Sequence, residues 1–502
     1  MKKISVLSLL LSVVMVAMAQ NKVVNITAGL LEDVLAGDYS FTALTVHGEM
    51  DVRDFACINE NAAHIVSIDL SGATIAQYDS RDQQFFGYHT HFEANAIPPS
   101  AFFGFVSLES IVLPQGVTVI GDGAFAGCEK LKTIQGGEEV VLIGDYAFSG
   151  CEKLSSYAFP TTMKRIGDYA FEMCVELQSI DLSQCPSLSY IGKRTFAQNK
   201  SLLSIKFPES VRTIGDAAFV GCLALTSVNM PQVEICGEGL FVACKALQNA
   251  DFSNSMIEEM PAWTFSGCNL MTDVNLPNSV RSIGEGAFYY CTSLPTVVLP
   301  AGLEYLDAFA FAGCSSLQEV TFIPEGMEMI GRYAFYQNTG VQSVDLPSSV
   351  SYIGDHAFDG CVNATTFDTP REMPAELGEM VFANMDVENK TLCVSAESVV
   401  IYQSTAQWQD FGKIEGISGV ENVEVRNDIR ATFEQYNLVV KSEQAMRDVR
   451  LYDISGILLA RATNNACEVV IDTQGFVSNV YLLHVTTADG RSAVTKVARV
   501  IR

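Results

Sequence analysis

The sequence predicts a repeat solenoid with a parallel β-sheet and short helical or 3-10 turns, followed by a small C-terminal β-sandwich. Three observations carry this. A phenylalanine recurs as Phe102, Phe125, Phe148, Phe171, Phe196, Phe219, Phe241, Phe265, Phe288, Phe311, Phe335, Phe358 and Phe382, at intervals of 22 to 25 residues, and self-similarity at such a period belongs to solenoids. Before each comes an alternating stretch such as Leu202-Leu203-Ser204-Ile205-Lys206-Phe207, with the period of two that marks a strand. After Gly419 the repeat gives way to short strand-like runs separated by turn residues.

Taken in order, residues 1–19 read as an export signal. Lys2 and Lys3 precede an apolar run from Val6 to Val16, and Ala17-Met18-Ala19 offers small residues before a cut at Gln20. No later stretch has the roughly 20 consecutive apolar residues of a membrane helix, so no transmembrane segment is expected. Residues 20–96 fall outside the repeat and are expected to cap the first turn, which would otherwise expose its apolar cross-section. They hold a helix near Leu30–Leu35, extended pieces at 44–46 and 65–70, and an insertion from Gln77 to Asn95. The insertion carries His89-Thr90-His91, read as loop, since no third and fourth ligand stand at a recognisable spacing.

Residues 97–390 form the solenoid, with about thirteen turns. In the turn from Leu202, the inward strand residues are Ile205 and Phe207, and Pro208 ends the pairing because it has no amide hydrogen. A second extended piece, Val211-Arg212-Thr213-Ile214, leads to Gly215, where glycine permits a tight corner. Phe219, Cys222 and Leu225 follow at intervals of three, as a short helical or 3-10 turn with one apolar edge requires. Residues 391–419 resemble the closing segment found after such arrays, which implies that Trp408 and Phe411 cover the last turn, and residues 420–502 are expected to form the sandwich.

Fourteen cysteines in an exported chain ordinarily suggest disulfides. Nine of them, Cys128, Cys151, Cys174, Cys222, Cys244, Cys268, Cys291, Cys314 and Cys361, stand three places after the repeat phenylalanine, where other turns carry Phe105, Asn199, Asn338 and Met385. A shared phase points to reduced, buried thiols stacked turn on turn.

The repeated pattern Ile-Gly-Asp-x-Ala-Phe-x-Gly-Cys-x-x-Leu followed by Ile-x-Leu-Pro, as in Ile120–Leu131, resembles the BspA-type leucine-rich repeat of bacterial surface proteins over about 290 residues. The resemblance implies a curved right-handed solenoid with a parallel sheet on one side and an adhesive role at a cell surface. The C-terminal strands, with Val449–Gly456, Val480–Val485, Asp489-Gly490-Arg491 and Lys496-Val497, resemble the sorting domain of cargo exported by the type IX secretion system. That implies an encounter between residues 420–502 and secretion machinery.

A formal charge of −27 opposes nucleic acid and anionic lipid as partners. The six histidines, His47, His64, His89, His91, His356 and His484, fall into no zinc-protease, nucleophile-elbow or metal-finger arrangement. Gly121-Asp122-Gly123 recurs in variant form without a following Lys-Ser/Thr and reads as corner geometry, not a phosphate loop. Asp122, Asp145, Asp168, Asp216 and Asp355 form a row after the corner glycine and read as exposed turn residues, with a cation ladder as the other reading. No catalytic residue, cofactor or metal is expected.

Between the inward strand positions lies a variable column, in which Asp181, Lys206, Asn229, Asp251, Asn275, Asp345 and Asp368 are the candidate ligand-binding residues. Beside it runs a row of small polar residues, among them Ser179, Ser204 and Ser227. A sheet face whose inward positions are fixed and whose outward positions vary is the usual binding surface of a solenoid. The expected protein is a non-catalytic, secreted or surface-displayed adhesin-like module that binds a host or microbial protein or glycan. A structural, self-associating surface component is the alternative, and a hydrolase stands third.

Overall fold

The computed structural model describes residues 21–80, 83–86, 90–320, 323–417, 424–425, 429–434, 437–453, 458–463, 465–474, 476, 480–488 and 492–498. The expected export signal and His89 lie outside them.

Parallel strands stack from Asn21–Ile26 to Lys413–Ile417, forming a parallel β-solenoid of about seventeen turns. In the consensus turns the first strand is short, because only its central residue and the one after the next point inward. In Ser179–Asp181, Ile180 is buried between two exposed neighbours, and it pairs in register with Ile205. A second ladder runs through Ile120, Ile143, Ile166, Ile191 and Ile214, each pairing with the next. A third is made by the turn segments: Phe125 N donates to Ala147 O at 2.8 Å and Phe148 N to Ala170 O at 2.7 Å. The turn segments close the expected i+3 to i bonds, Cys222 N donating to Phe219 O and Leu225 N to Cys222 O, both at 3.2 Å, but as successive turns and not as the expected 3-10 helix, because Ala217 and Gly221 hold φ of 53° and 72°. Inside, the phenylalanine rings stack nearly parallel, with Phe125 and Phe148 centroids 5.2 Å apart and Phe288 and Phe311 4.9 Å apart. Burying each ring contributes on the order of 1.5–3 kcal/mol.

The nine phased cysteines do more than fill space. All fourteen cysteines are free thiols, and each phased Sγ donates to the carbonyl of the preceding turn's phenylalanine, from Cys128 to Phe102 O at 3.1 Å through Cys222 to Phe196 O at 3.2 Å to Cys361 to Phe335 O at 3.2 Å. Burial pushes the thiols of Cys128, Cys222, Cys314 and Cys361 up to about 12, far from the thiolate that reactivity needs. Asn199 and Asn338 occupy the same phase, wholly buried, and neither amide has a hydrogen-bond partner.

The corner glycines answer a demand different from the tight turn expected of them. Gly144 is outside the left-handed region, but a Cβ there would lie 2.3 Å from Asp122 Oδ1 and 2.7 Å from Asp122 N. The constraint is close approach of the preceding turn. The aspartate row explains it: Asp122 Oδ1 accepts from Asp145 N and Asp145 Oδ1 from Asp168 N, both at 2.8 Å. Asp355 likewise accepts from Glu379 N at 2.7 Å. These carboxylates stitch one turn to the next.

Residues 20–96, expected to lie outside the repeat, extend the sheet. Asn21–Ile26, Ala43–Met50 and Ser67–Ile75 pair in parallel, and the last pairs with Ser110–Val112. Helices Leu31–Leu35 and Val52–Asn61 replace the consensus turn segments. The insertion forms an antiparallel pair, Tyr78–Asp79 with His91–Phe92, and holds the His91 ring between Asp79 and Glu93. At the far end Trp408 and Phe411 lie against Phe382, each 5.2 Å between centroids.

Among the described residues the ladders lapse at particular turns. The first sheet is interrupted around 156–158, where Tyr157 and Phe159 stand in the inward positions; between Ser204–Lys206 and Ser227–Asn229; and around 296–298, where Pro295 supplies no amide hydrogen. The second sheet is interrupted between Ile235–Cys236 and Glu259–Met260, next to Pro261.

The described residues between 424 and 498 form an antiparallel sheet with its own core of Leu438, Val440, Val449, Leu451, Tyr481, Leu483 and Val485. The long strand Asn437–Asp453 pairs with Ala466–Asp472 through its first half and with Leu458–Ala462 and Val480–Thr487 through its second, so that one strand joins all the others in a single antiparallel sheet.

Candidate ligand-binding face

On the first sheet, parallel pairing in register turns a sequence column into a spatial row. Asp181 stands opposite Lys206; Asn229, Asp251 and Asn275 are successive partners; Asp345 stands opposite Asp368. The structure thus assembles the seven expected residues into three groups along one face, separated by the interruptions at 204–229 and 296–298. Asp181, Lys206, Asn229 and Asn275 are exposed, and Asp251, Asp345 and Asp368 half-buried.

The groups differ electrostatically. Lys206 Nζ lies 3.0 Å from Asp181 Oδ2. The Ser183 hydroxyl, and then Lys206, hold the Asp181 carboxyl down at about 2. Both charges of this pair are more than half exposed, so its worth to stability is small and its groups remain available to a ligand. Asp251 Oδ1 accepts from Ser253 N at 2.9 Å, which fixes the carboxylate on the face. At the C-terminal end the row continues from Asp368 to Cys393 and Glu415. Burial, with the charge of Glu415, pushes the Asp368 carboxyl up, while burial and Asp368 push the Cys393 thiol up to about 12.

Where the ladder lapses between Ser204–Lys206 and Ser227–Asn229, a groove of about 410 Å³ opens. Lys206, Asn229 and Asp251 line it, with Ser204 and Ser227 from the small polar row. Ser183, Glu209 and Asn254 complete its rim from the loops that follow the strands. These three were not singled out by the repeat, because they follow the inward strand residues, where turns differ in length. The available signal was Phe207 in an inward position that is Leu182 in the turn before. The larger ring is only half-buried, and its centroid lies 6.0 Å from that of Phe219. The groove offers one cation, carboxylates, amides and hydroxyls on a floor of Ile205, Met230 and Pro231, a surface suited to recognition. Among the described residues no group of three or more His, Cys, Asp and Glu side chains is placed to hold a metal ion.

Fold and face together define a repeat solenoid with a column of variable side chains, in three groups, along one parallel face. Residues 95–199, 184–294 and 281–403 match the BspA type leucine rich repeat region, and the chain belongs to that family. No curated protein matches it. Among solved structures, a leucine-rich repeat protein from Bacteroides ovatus is 25% identical, with 57% of this chain and 88% of that one covered and a TM-score of 0.28. A leucine rich repeat protein of T. pallidum is 30% identical over 36% of this chain and 78% of its own, with a TM-score of 0.31. A leucine rich cell surface protein from Faecalibacterium prausnitzii is 26% identical over 60% and 87%, with a TM-score of 0.40.

Proposed function

We propose that this chain is a non-catalytic, exported binding protein displayed at the cell surface, which recognises a protein partner through the first-sheet face, and that residues 420–502 engage the secretion machinery. The observation that carries the reading is the groove between Ser204–Lys206 and Ser227–Asn229, lined by three residues of the variable column. It combines exposed charge with strand edges whose mutual ladder has lapsed, and it lies on side chains that the packing of the repeat leaves free to vary. No helix among the described residues is long and apolar enough to cross a membrane, which fits display through a secretion signal.

The test is binding of the purified chain to an array of matrix and bacterial surface proteins, followed by affinity measurement on the best partner. Lys206→Glu combined with Asp251→Lys is expected to weaken that affinity at least tenfold with the melting temperature unchanged. An empty array, or a partner bound equally by the variant, refutes the reading; an empty array together with concentration-dependent oligomers in light scattering supports a self-associating surface component instead. Deletion of 420–502 is expected to lower surface display, and unchanged display removes the sorting role.

A further inference from the structure

In every consensus turn the residue two places after the repeat phenylalanine has a left-handed backbone. Gly104, Gly127 and Gly150 supply it at no steric cost, with φ of 72°, 74° and 73°. Later in the array the same column reads Tyr290, Gly313, Gln337, Gly360, Asn384, so that a side chain alternates with glycine. Tyr290 holds φ 57°, Gln337 55° and Asn384 55°. Asparagine tolerates this region, but tyrosine and glutamine adopt it only against steric resistance. The intervening glycines receive the side chains: a Cβ on Gly313 would meet the Tyr290 ring at 3.1 Å, and one on Gly360 would meet Gln337 Cγ at 3.3 Å. Met173, Gln198 and Ala243 hold the same conformation in earlier turns, with φ of 60°, 61° and 58°, so the left-handed backbone belongs to the repeat as a whole, and what is particular to these later turns is the set of side chains that the column carries.

All five residues line one groove of about 470 Å³. We infer that this groove is a second binding site, distinct from the sheet face, and that its ligand is a neutral oligosaccharide. Tyr290 is 42% exposed and offers an aromatic surface of the kind that packs on the C–H face of a sugar ring. Two places further on runs a column of hydroxyls, Thr292, Ser315 and Thr339, where earlier turns carry Glu129, Glu152 and Lys200. Thr292 Oγ1 donates to Asn269 O at 3.2 Å and Ser315 Oγ to Thr292 O at 3.4 Å, which orients their oxygens as acceptors. Asp359 is held on both sides, by His356 Nδ1 and by Asn384 Nδ2, each at 2.8 Å. The site therefore presents an aromatic surface, fixed acceptors and amides, and no lysine or arginine lines it. That set suits an uncharged ligand rich in hydroxyls.

A peptide adding as a strand has no purchase here. The backbone amides of Tyr290, Gly313, Gln337 and Gly360 already donate to the next turn, at 2.8, 2.8, 2.8 and 3.0 Å, so recognition must come from side chains. Turns repeat at about 4.8 Å, which sets Tyr290, Gln337 and Asn384 about 10 Å apart in succession, a spacing for consecutive subsites of an extended chain.

The experiment applies the full chain to an array of neutral gluco-, manno-, xylo- and N-acetylglucosamine oligosaccharides, then measures affinity for the best-bound one by calorimetry. Tyr290→Gly removes the ring at a position whose backbone glycine prefers, so the melting temperature should hold or rise while affinity falls at least tenfold; Gln337→Gly should lower affinity severalfold. Lys206→Glu, on the sheet face, should leave it unchanged. An array with no hit, or affinity unchanged in both Tyr290→Gly and Gln337→Gly, overturns the inference. Binding lost in Lys206→Glu and retained in Tyr290→Gly assigns the sugar to the sheet face and also overturns it.

Discussion

Replacing Asn199 by cysteine should stabilise the solenoid, an outcome rare enough at a wholly buried position to be discriminating. Asn199 stands in the cysteine phase with its amide oxygen and nitrogen both unpartnered. Nine equivalent thiols each donate to a carbonyl of the preceding turn, at distances such as 3.1 Å for Cys314 and 3.2 Å for Cys268. An unmet buried polar group costs about 1–3 kcal/mol. Cysteine is slightly smaller, and a residual void of roughly 10 Å³ would return about 0.2 kcal/mol of that gain. A net gain of about 1–3 kcal/mol follows, or up to about 12 °C in melting temperature if a unit of 150–250 residues unfolds together. Calorimetry under reducing conditions reads it, with Cys222→Asn as the mirror image: that change removes the bond to Phe196 O and buries an amide, and should cost about 2 kcal/mol. A neutral or destabilising Asn199→Cys would show that the amide is satisfied in solution by an enclosed water, and would refute the argument.

Two other outcomes are expected. Gly144→Ala should cost about 2–3 kcal/mol, because its Cβ meets Asp122 N at 2.7 Å, whereas Gly302→Ala, with nothing nearer than Arg281 Nη1 at 3.6 Å, should change thermal stability little; equal effects would refute close approach as the reason for the corner glycines. In the C-terminal sheet, burial, and then Arg450, push His484 down to about 4. The folded form binds this proton less readily than the unfolded chain, so the associated stability is complete above about pH 6.5 and is lost as pH falls toward 4, by at most about 3 kcal/mol. The C-terminal transition followed from pH 7.5 to 4.5 should show this loss, and a slope that persists undiminished in His484→Leu would count against it.

The solenoid was legible because its inward positions repeat. Once Phe219, Cys222 and Leu225 are placed inside, the register of Asp181 with Lys206 follows, although 25 residues separate them in a turn longer than most. The early turns were hidden for the converse reason: Val24, Ile26, Leu44 and Val46 are buried in the same sheet, but helix Val52–Asn61 stands where the consensus would put Phe and Cys. Two roles could not be read from residue type at all. A cysteine in a fixed phase gives no sign that its sulfur bonds the turn before, and a corner glycine looks the same whether it serves a left-handed backbone or a neighbour's carboxylate. The groove beside Lys206 depends on where the ladder lapses, a property of two adjacent turns and not of either one's sequence.

Among the described residues those lapses do not coincide. Where the first sheet opens between Lys206 and Asn229, the second still pairs Thr213 with Ile235; where Pro261 interrupts the second, the first pairs Val228 with Ala250, and Phe241 N still donates to Thr264 O at 2.8 Å. The joints are offset, like courses of brick. A crack started at one open seam, by shear or by a protease, meets an intact course at the same level. The protein can thus widen individual seams into grooves without acquiring a plane along which it would split.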